Sequence, residues 1–450
     1  MAGIGFELRK LFREQGLINN VKAYAYSSLT TVGPMILCMV LIIALQRIMS
    51  ANNSSYIEWE LYIATVSYCF VFSIIFTSGI SMVLTRYVAD MIYEKKYDRL
   101  MSSYYGALIF ILPIGGVIAA LFVSQVSASL DYKIAAYLFF MELIVIWLQG
   151  VYLSALKDYI RIVRSFIIGV AAALLSGWLL FLLTDLQATT AALLGIDTGF
   201  FVIAALSFYH FEQRFPRGRS PFYFDFLRYF GKYSSLFFAG CFVYSGVYLH
   251  NFVYWLGPRG VEVADQFLVM PFYDLPVFYA FISVMPTLVT FVVSVETSFY
   301  EKFRIYYLNI LNGGTVTDIR AAKSSMQKTL IREISFLMEI QLLFTVLSIA
   351  LGIKFLPTIG FTMAQLDVFI LLSLAYFLFI IMFVLTHILM YFDDRKGVLL
   401  IGALFVLLNI GFTTWMMHLE YDGLGMFIAS FIALVVVIVR LLHVLRKVGS

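Results

Sequence analysis

Two carboxylates stand where carboxylates are costly. Glu142 lies in the apolar run 134–156 and Asp274 in the run 266–294. An ionisable group at the centre of a membrane helix costs about 2.5–3.5 kcal/mol on insertion scales, so such groups tend to mark substrate or ion pathways. Both sit about eight residues in from one edge, roughly 12 Å deep at ~1.5 Å per residue. Gln149 follows Glu142 by seven positions, on the same helix face, and the resulting stripe is expected to face a wet cavity. Asp274 belongs to Met270-Pro271-Phe272-Tyr273-Asp274-Leu275-Pro276, and Pro286 follows. Each proline removes a donor and obstructs the carbonyl four residues earlier. The freed carbonyls must find protein, water or ligand, and broken helices at mid-depth are where transporters hold cargo. Tyr273, with Tyr244 and Tyr248 in the preceding run, adds flat rings carrying a hydroxyl, a lining suited to sugars. The chemistry implied is binding of sugar hydroxyls, or exchange of a proton or sodium ion. The competing reading makes Glu142 and Asp274 structural hydrogen-bond partners, of a tyrosine hydroxyl for instance.

Other chemistries lack their residues. The sequence has no GxxxxGK[ST] phosphate loop and no GxGxxG opening a helix after a strand. His210, His250, His387, His418 and His443 fall near span ends or in loops, none paired at metal spacing. No catalytic residue, metal or cofactor is expected beyond H+ or Na+ as a coupling ion. Asp393-Asp394 could suggest a nucleotide-sugar metal motif, but Arg395-Lys396 follow at once, which favours a self-neutralised loop. Cys38, Cys69 and Cys241 lie in apolar runs and read as small buried hydrophobes.

The elements that position these residues must be lipid-embedded. The 450-residue chain is 62% hydrophobic and 13% charged, against about 25% charged in soluble domains. A net charge of +4, dispersed along the chain, gives no case for nucleic acid. Twelve runs are long enough to span ~30 Å of hydrocarbon: 26–48, 61–84, 101–123, 134–156, 165–183, 190–211, 233–256, 266–294, 334–353, 368–390, 398–417 and 425–445. They are continuously apolar, which argues for an all-α membrane protein rather than a barrel of alternating strands. Of 31 Lys and Arg, only Arg47, Lys133, Arg259 and Lys354 occupy one set of alternate loops. That bias predicts both termini in the cytoplasm. Arg214-Phe215-Pro216-Arg217-Gly218-Arg219-Ser220-Pro221 reads as a linker. The expected organisation is a cytoplasmic amphipathic segment at 1–25, an N-lobe at 26–211, a linker at 212–232 and a C-lobe at 233–450. No extramembrane domain is expected. Arg9, Lys10 and Arg13 in the first segment, and Arg320, Lys323 and Lys328 on a second surface helix at 315–333, read as topology anchors or as docking points for a cytoplasmic partner. Glu339 reads as structural, and Arg440 and His443 as snorkelling residues closing the last span.

Met1-Ala2-Gly3-Ile4-Gly5-Phe6-Glu7-Leu8-Arg9-Lys10, then Ala23-Tyr24-Ala25-Tyr26 and Gly33-Pro34, resembles the PelG family. Its members are inner-membrane transport subunits of the Pel exopolysaccharide system, within the multidrug and lipid-linked-oligosaccharide flippase superfamily. Tyr273-Asp274-Leu275-Pro276 resembles the family's middle region. The resemblance implies two six-helix lobes around a central cavity, in the manner of MATE transporters. It also implies partners: a cytoplasmic glycosyltransferase building an N-acetylhexosamine-rich polymer, and membrane components that bind cyclic di-GMP.

The function expected is transport of a Pel-type polysaccharide across the inner membrane in biofilm export, by alternating access or a channel-like path. One alternative is a multidrug or lipid-linked-sugar flippase of the same fold. From another class come a membrane-embedded glycosyltransferase, with Glu58 and Glu60 as candidate acids, and a non-transporting synthase scaffold.

Overall fold

The computed structural model describes residues 17–52, 54–156, 159–215 and 221–447. Arg9, Lys10, Arg13 and the amphipathic segment around them lie outside the described residues, as do 216–220 of the expected linker. The described chain is helical: α1 Leu17–Thr31, α2 Gly33–Ala51, α3 Tyr56–Tyr93, α4 Asp98–Ser124, α5 Leu130–Leu156, α6 Tyr159–Leu183, α7 Ala188–Arg214, α8 Leu227–Lys232, α9 Ser234–Gly246 and α10 Leu249–Trp255. A hairpin follows, β1 Val261–Val263 antiparallel to β2 Phe267–Val269, with Glu262 opposite Leu268. Then come α11 Pro271–Ile282, α12 Met285–Val293, a π turn Ser294–Phe299, α13 Tyr300–Leu311, α14 Val316–Phe355, α15 Met363–Tyr391, α16 Arg395–His418 and α17 Leu424–Lys447.

Among the described residues, 11 stretches are long and apolar enough to cross a membrane, and 12 if α9 and α10, bent by 55°, form one span. This is a multi-pass membrane protein. Several expected edges move. The first span starts at Gly33 rather than 26, because the helix breaks at Val32 and Pro34 opens α2. The eighth starts at Pro271 rather than 266, because 267–269 pair as a strand, a small departure from an all-α chain. Residues 316–333 are not a separate surface helix: they are the first half of the 40-residue α14, which runs on into the ninth span.

The chain forms two compact units. The first comprises Gly33–Tyr244 and Arg259–Val269; the second comprises the part up to Val32, Ser245–Pro258 and the part from Met270 on. In the first unit, Gly195 and Gly199 of α7 lie against Gly177 and Gly169 of α6 so closely that a Cβ on Gly195 would stand 2.8 Å from the Gly177 Cα. Small residues at four-residue spacing allow membrane helices this approach. Glu58 fixes the neighbouring ends. It closes a capping box with Ser55 at the start of α3, accepts the Ala188 amide at 3.0 Å and, through its carbonyl, the Thr189 hydroxyl at 2.7 Å. The described part of the expected linker packs onto the same unit: Arg99 pairs with Asp225 at 3.0 Å and lies over the Phe222 ring at 4.0 Å. In the second unit, Asp394 caps α16 and binds Arg440 of α17 through two contacts of 2.6 and 2.8 Å. Arg440 is therefore an ion-pair partner, not a snorkelling residue, and it is Arg395 that neutralises Asp393.

Candidate functional site

The two acids of the sequence analysis fall in different units and have opposite surroundings. Asp274, in the first turn of α11, is fully engaged. Its carboxylate accepts from Asn251 Nδ2 at 2.8 Å, from Trp255 Nε1 at 2.9 and 3.0 Å, and from its own helix start, Met270 N, at 2.9 Å. It ties α10 to α11 across the hairpin and satisfies the Met270 N–H at the helix start. Beside it Tyr273 is completely buried. Its hydroxyl meets His250 Nδ1 at 2.9 Å, and its ring stacks on Tyr254 at 3.8 Å. His250 Nε2 lies 3.3 Å from the Tyr376 hydroxyl, so one imidazole joins α10, α11 and α15.

The prolines act in two ways. Of these three, Pro271 and Pro286 begin helices, where a missing N–H is harmless, and Pro276 lies inside one. The carbonyl that Pro276 releases, that of Phe272, accepts from Gln365 Nε2 at 3.4 Å. At the break before α12, Ser283 O accepts from Gln341 Nε2 at 3.2 Å, and Gln341 also bonds Thr345 and Thr287. At the α9–α10 bend, Gly246 O accepts from Asn409 Nδ2 at 2.8 Å. Each broken span is thus closed by an amide side chain from an unbroken neighbour. Tyr248 stands at that bend, in the second unit; Tyr244 ends the portion of α9 in the first.

In the first unit the Glu142–Gln149 stripe lies against α7. Gln149 Nε2 donates to Ala204 O at 3.0 Å and to the Tyr104 hydroxyl at 3.1 Å. α5 and α7 therefore run with residue 149 beside residue 204, and seven positions earlier the same register sets Glu142 beside Asp197. The two acids lie within electrostatic range of each other. Asp197 is 6% exposed, and neither of its oxygens has a partner; Glu142 Oε2 is likewise buried and unpartnered. Asp197 is absent from the sequence candidates, although it stands inside the run 190–211 between Gly195 and Gly199. Those glycines face α6, and a residue two positions from either is turned about 200° away, toward α5 and α3. Phe70, Phe139 and Phe200 pack edge to face beside them, with centroids 5.3–6.0 Å apart.

Of the basic candidates, Arg320 and Lys328 are exposed on the first half of α14 and Lys323 is half-buried there. Lys328 lines a shallow open groove with Ser324, Ser325 and Arg332.

The PelG family model, "Putative exopolysaccharide Exporter (EPS-E)", matches residues 1–449. The chain belongs to the PelG family. No curated protein matches it. Solved structures show the fold that this PelG chain shares. An outward-facing multidrug resistance MATE family transporter of the MOP superfamily aligns at TM-score 0.60 and 12% identity, covering 94% of this chain and 96% of the other. A eukaryotic MATE transporter aligns at TM-score 0.59 and 14% identity over 94% and 96%. A MOP superfamily transporter from Pyrococcus furiosus, described as having reversed polarity in its binding pocket, gives 0.59 and 13% over the same shares. The fold is that of MATE transporters.

Proposed function

We propose that this PelG-family chain carries a Pel-type, N-acetylhexosamine-rich polysaccharide across the cytoplasmic membrane, by alternating access or a channel-like path. The observation that carries the reading is the family match over residues 1–449. The MATE fold supports transport rather than catalysis. The commitment of Glu58 to two helix ends weighs against its use as a glycosyltransferase acid. The bias of Lys and Arg among the loops supports both termini in the cytoplasm. The proposed partners are a cytoplasmic glycosyltransferase that makes the polymer and cyclic-di-GMP-binding membrane components, with the bilayer as solvent. Arg320, Lys323 and Lys328 are among the exposed or half-exposed cations on α14 and would be available to such partners.

The test is a producing strain in which this gene is deleted and restored. Secreted hexosamine polymer should fall more than tenfold on deletion while cell-associated polymer accumulates, and both should return on restoration. Secretion unchanged by deletion sinks the reading. A multidrug flippase, the reading the MATE likeness favours next, would instead leave secretion intact and raise drug sensitivity.

A further inference from the structure

The seam between α5 and α7 holds more acceptors than donors. Asp197 Oδ1 and Oδ2 and Glu142 Oε2 are buried without partners, as are Thr190 Oγ1 and Gln149 Oε1. Thr190 precedes Asp197 by seven residues and Gln149 follows Glu142 by seven, so all four side chains fall on one seam at heptad spacing. Thr190 is 1% exposed and Gln149 4%. Buried polar atoms in native proteins have partners, and exceptions call for an explanation. Asp197 lies nine residues along α7, roughly 13 Å from its start. Two ionised carboxylates there would repel each other, with no counter-charge among the described residues to offset the cost.

Among the described residues, no counter-charge is in place. α3 contributes Cys69, which lies in electrostatic range of Asp197. α4 contributes Tyr104, already taken by Gln149. α6 has no ionisable residue from Ser165 to Leu183, its Arg161 and Arg164 lying in the first turns. α2 carries Cys38 and Arg47, and Arg47 is near its far end. On α5 and α7 themselves the remaining charges, Asp131, Lys133, Glu212 and Arg214, and the imidazole of His210 cluster toward the ends. Among the described residues no group of three His, Cys, Asp or Glu is arranged to hold a metal ion. What the seam lacks is hydrogen.

We propose that Asp197 and Glu142 together hold one exchangeable proton, making the α5–α7 seam a proton-binding site of the first unit. One carboxyl carries the O–H and the other accepts it. Binding neutralises one of two charges in hydrocarbon, so loading and unloading favour different exposures of the seam to water. That is the property a proton-driven transporter needs. The site is independent of the cargo and stands whether or not the export reading holds.

The test is infrared spectroscopy of the full-length protein in lipid, with isotope-labelled aspartate to assign the carboxylic C=O band. At neutral pH the wild type should show a protonated-carboxyl band. Asp197→Asn should reduce it at least about twofold, and Asp197→Asn with Glu142→Gln should remove it. Replacing sodium by choline should leave it unchanged. Both changes are near-isosteric; if Asp197→Asn does not purify as a single species, Glu142→Gln alone gives the same reading. A wild type with no such band at neutral pH, a band indifferent to both substitutions, or a band that appears only when sodium is withdrawn each overturns the proposal, the last by assigning a sodium site.

Discussion

Each unit buries a carboxylate in an apolar helix, and the two are set in contrary ways. Asp274 receives two indole contacts, one amide and one backbone N–H. Asp197 receives nothing and faces a second acid. The same amino acid thus serves as a structural clasp in one place and as an exchangeable group in the other. Position in the sequence does not separate them; their neighbours do. A buried charge with all its lone pairs occupied stabilises the arrangement around it, whereas one without partners persists only if something else supplies them.

The contrast is sharpest in stability. Asp274→Ala removes the acceptor of Asn251, Trp255 and Met270 N at once, leaving buried donors unmatched. Such losses cost about 1–3 kcal/mol each, so the protein should lose at least ~3 kcal/mol and melt many degrees lower in detergent. Asp197→Asn removes a charge that nothing compensates, and its stability should stay within ~1 kcal/mol of wild type or rise. Export should respond the other way round in proportion: Asp197→Asn should abolish it in a protein that is still folded. Equal melting losses in the two variants would erase the distinction.

The broken spans allow a smaller version of the same test. Gln341→Leu strands Ser283 O and the Thr287 and Thr345 hydroxyls, and should cost about 2 kcal/mol. Gln365→Leu strands Phe272 O and the Thr362 N–H that the Gln365 side chain caps, with a longer bond at stake, and should cost ~1 kcal/mol. Thermal melts of the two variants should preserve that order. If both melt with the wild type, the released carbonyls are being satisfied by something other than these amides.

What the residues revealed in advance follows from this contrast. Spans were legible because a run of twenty apolar residues averages over local detail. Their edges were not, where Pro34 and Pro271 open helices that hydropathy alone would extend backwards. The prolines announced the breaks, but not that Gln341, Gln365 and Asn409, 58 to 163 residues away, would close them. That requires knowing which helices pack together. Asp197 carried the same signal as Glu142, an acid inside an apolar run; between Gly195 and Gly199, however, only the α6–α7 packing shows which way it faces. The family resemblance at Met1–Lys10 was sound, since the family model matches residues 1–449. It could not say which acid is free.

The smallest expected effect lies outside the spans and tests whether a satisfied carboxylate behaves as one. Asp394, at the turn before α16, is held below the ordinary carboxylate range, chiefly by its hydrogen bonds to Arg440, with the Gly397 amide adding to the effect against desolvation. Because the folded value is the lower one, the ion pair's contribution is fully present above the unfolded value of about 3.9. It is lost as pH falls from there through the folded value. The pair is partly exposed, with 41% of the Arg440 side chain open to solvent, so about 1 kcal/mol is the scale to expect. Asp394→Asn should lower the melting temperature slightly at neutral pH, and its gap to the wild type should narrow as pH falls toward 3, flattening the acid limb of the stability curve. A wild type and Asp394→Asn that stay equally separated at pH 3 and pH 7 would mean that Arg440 contributes packing alone.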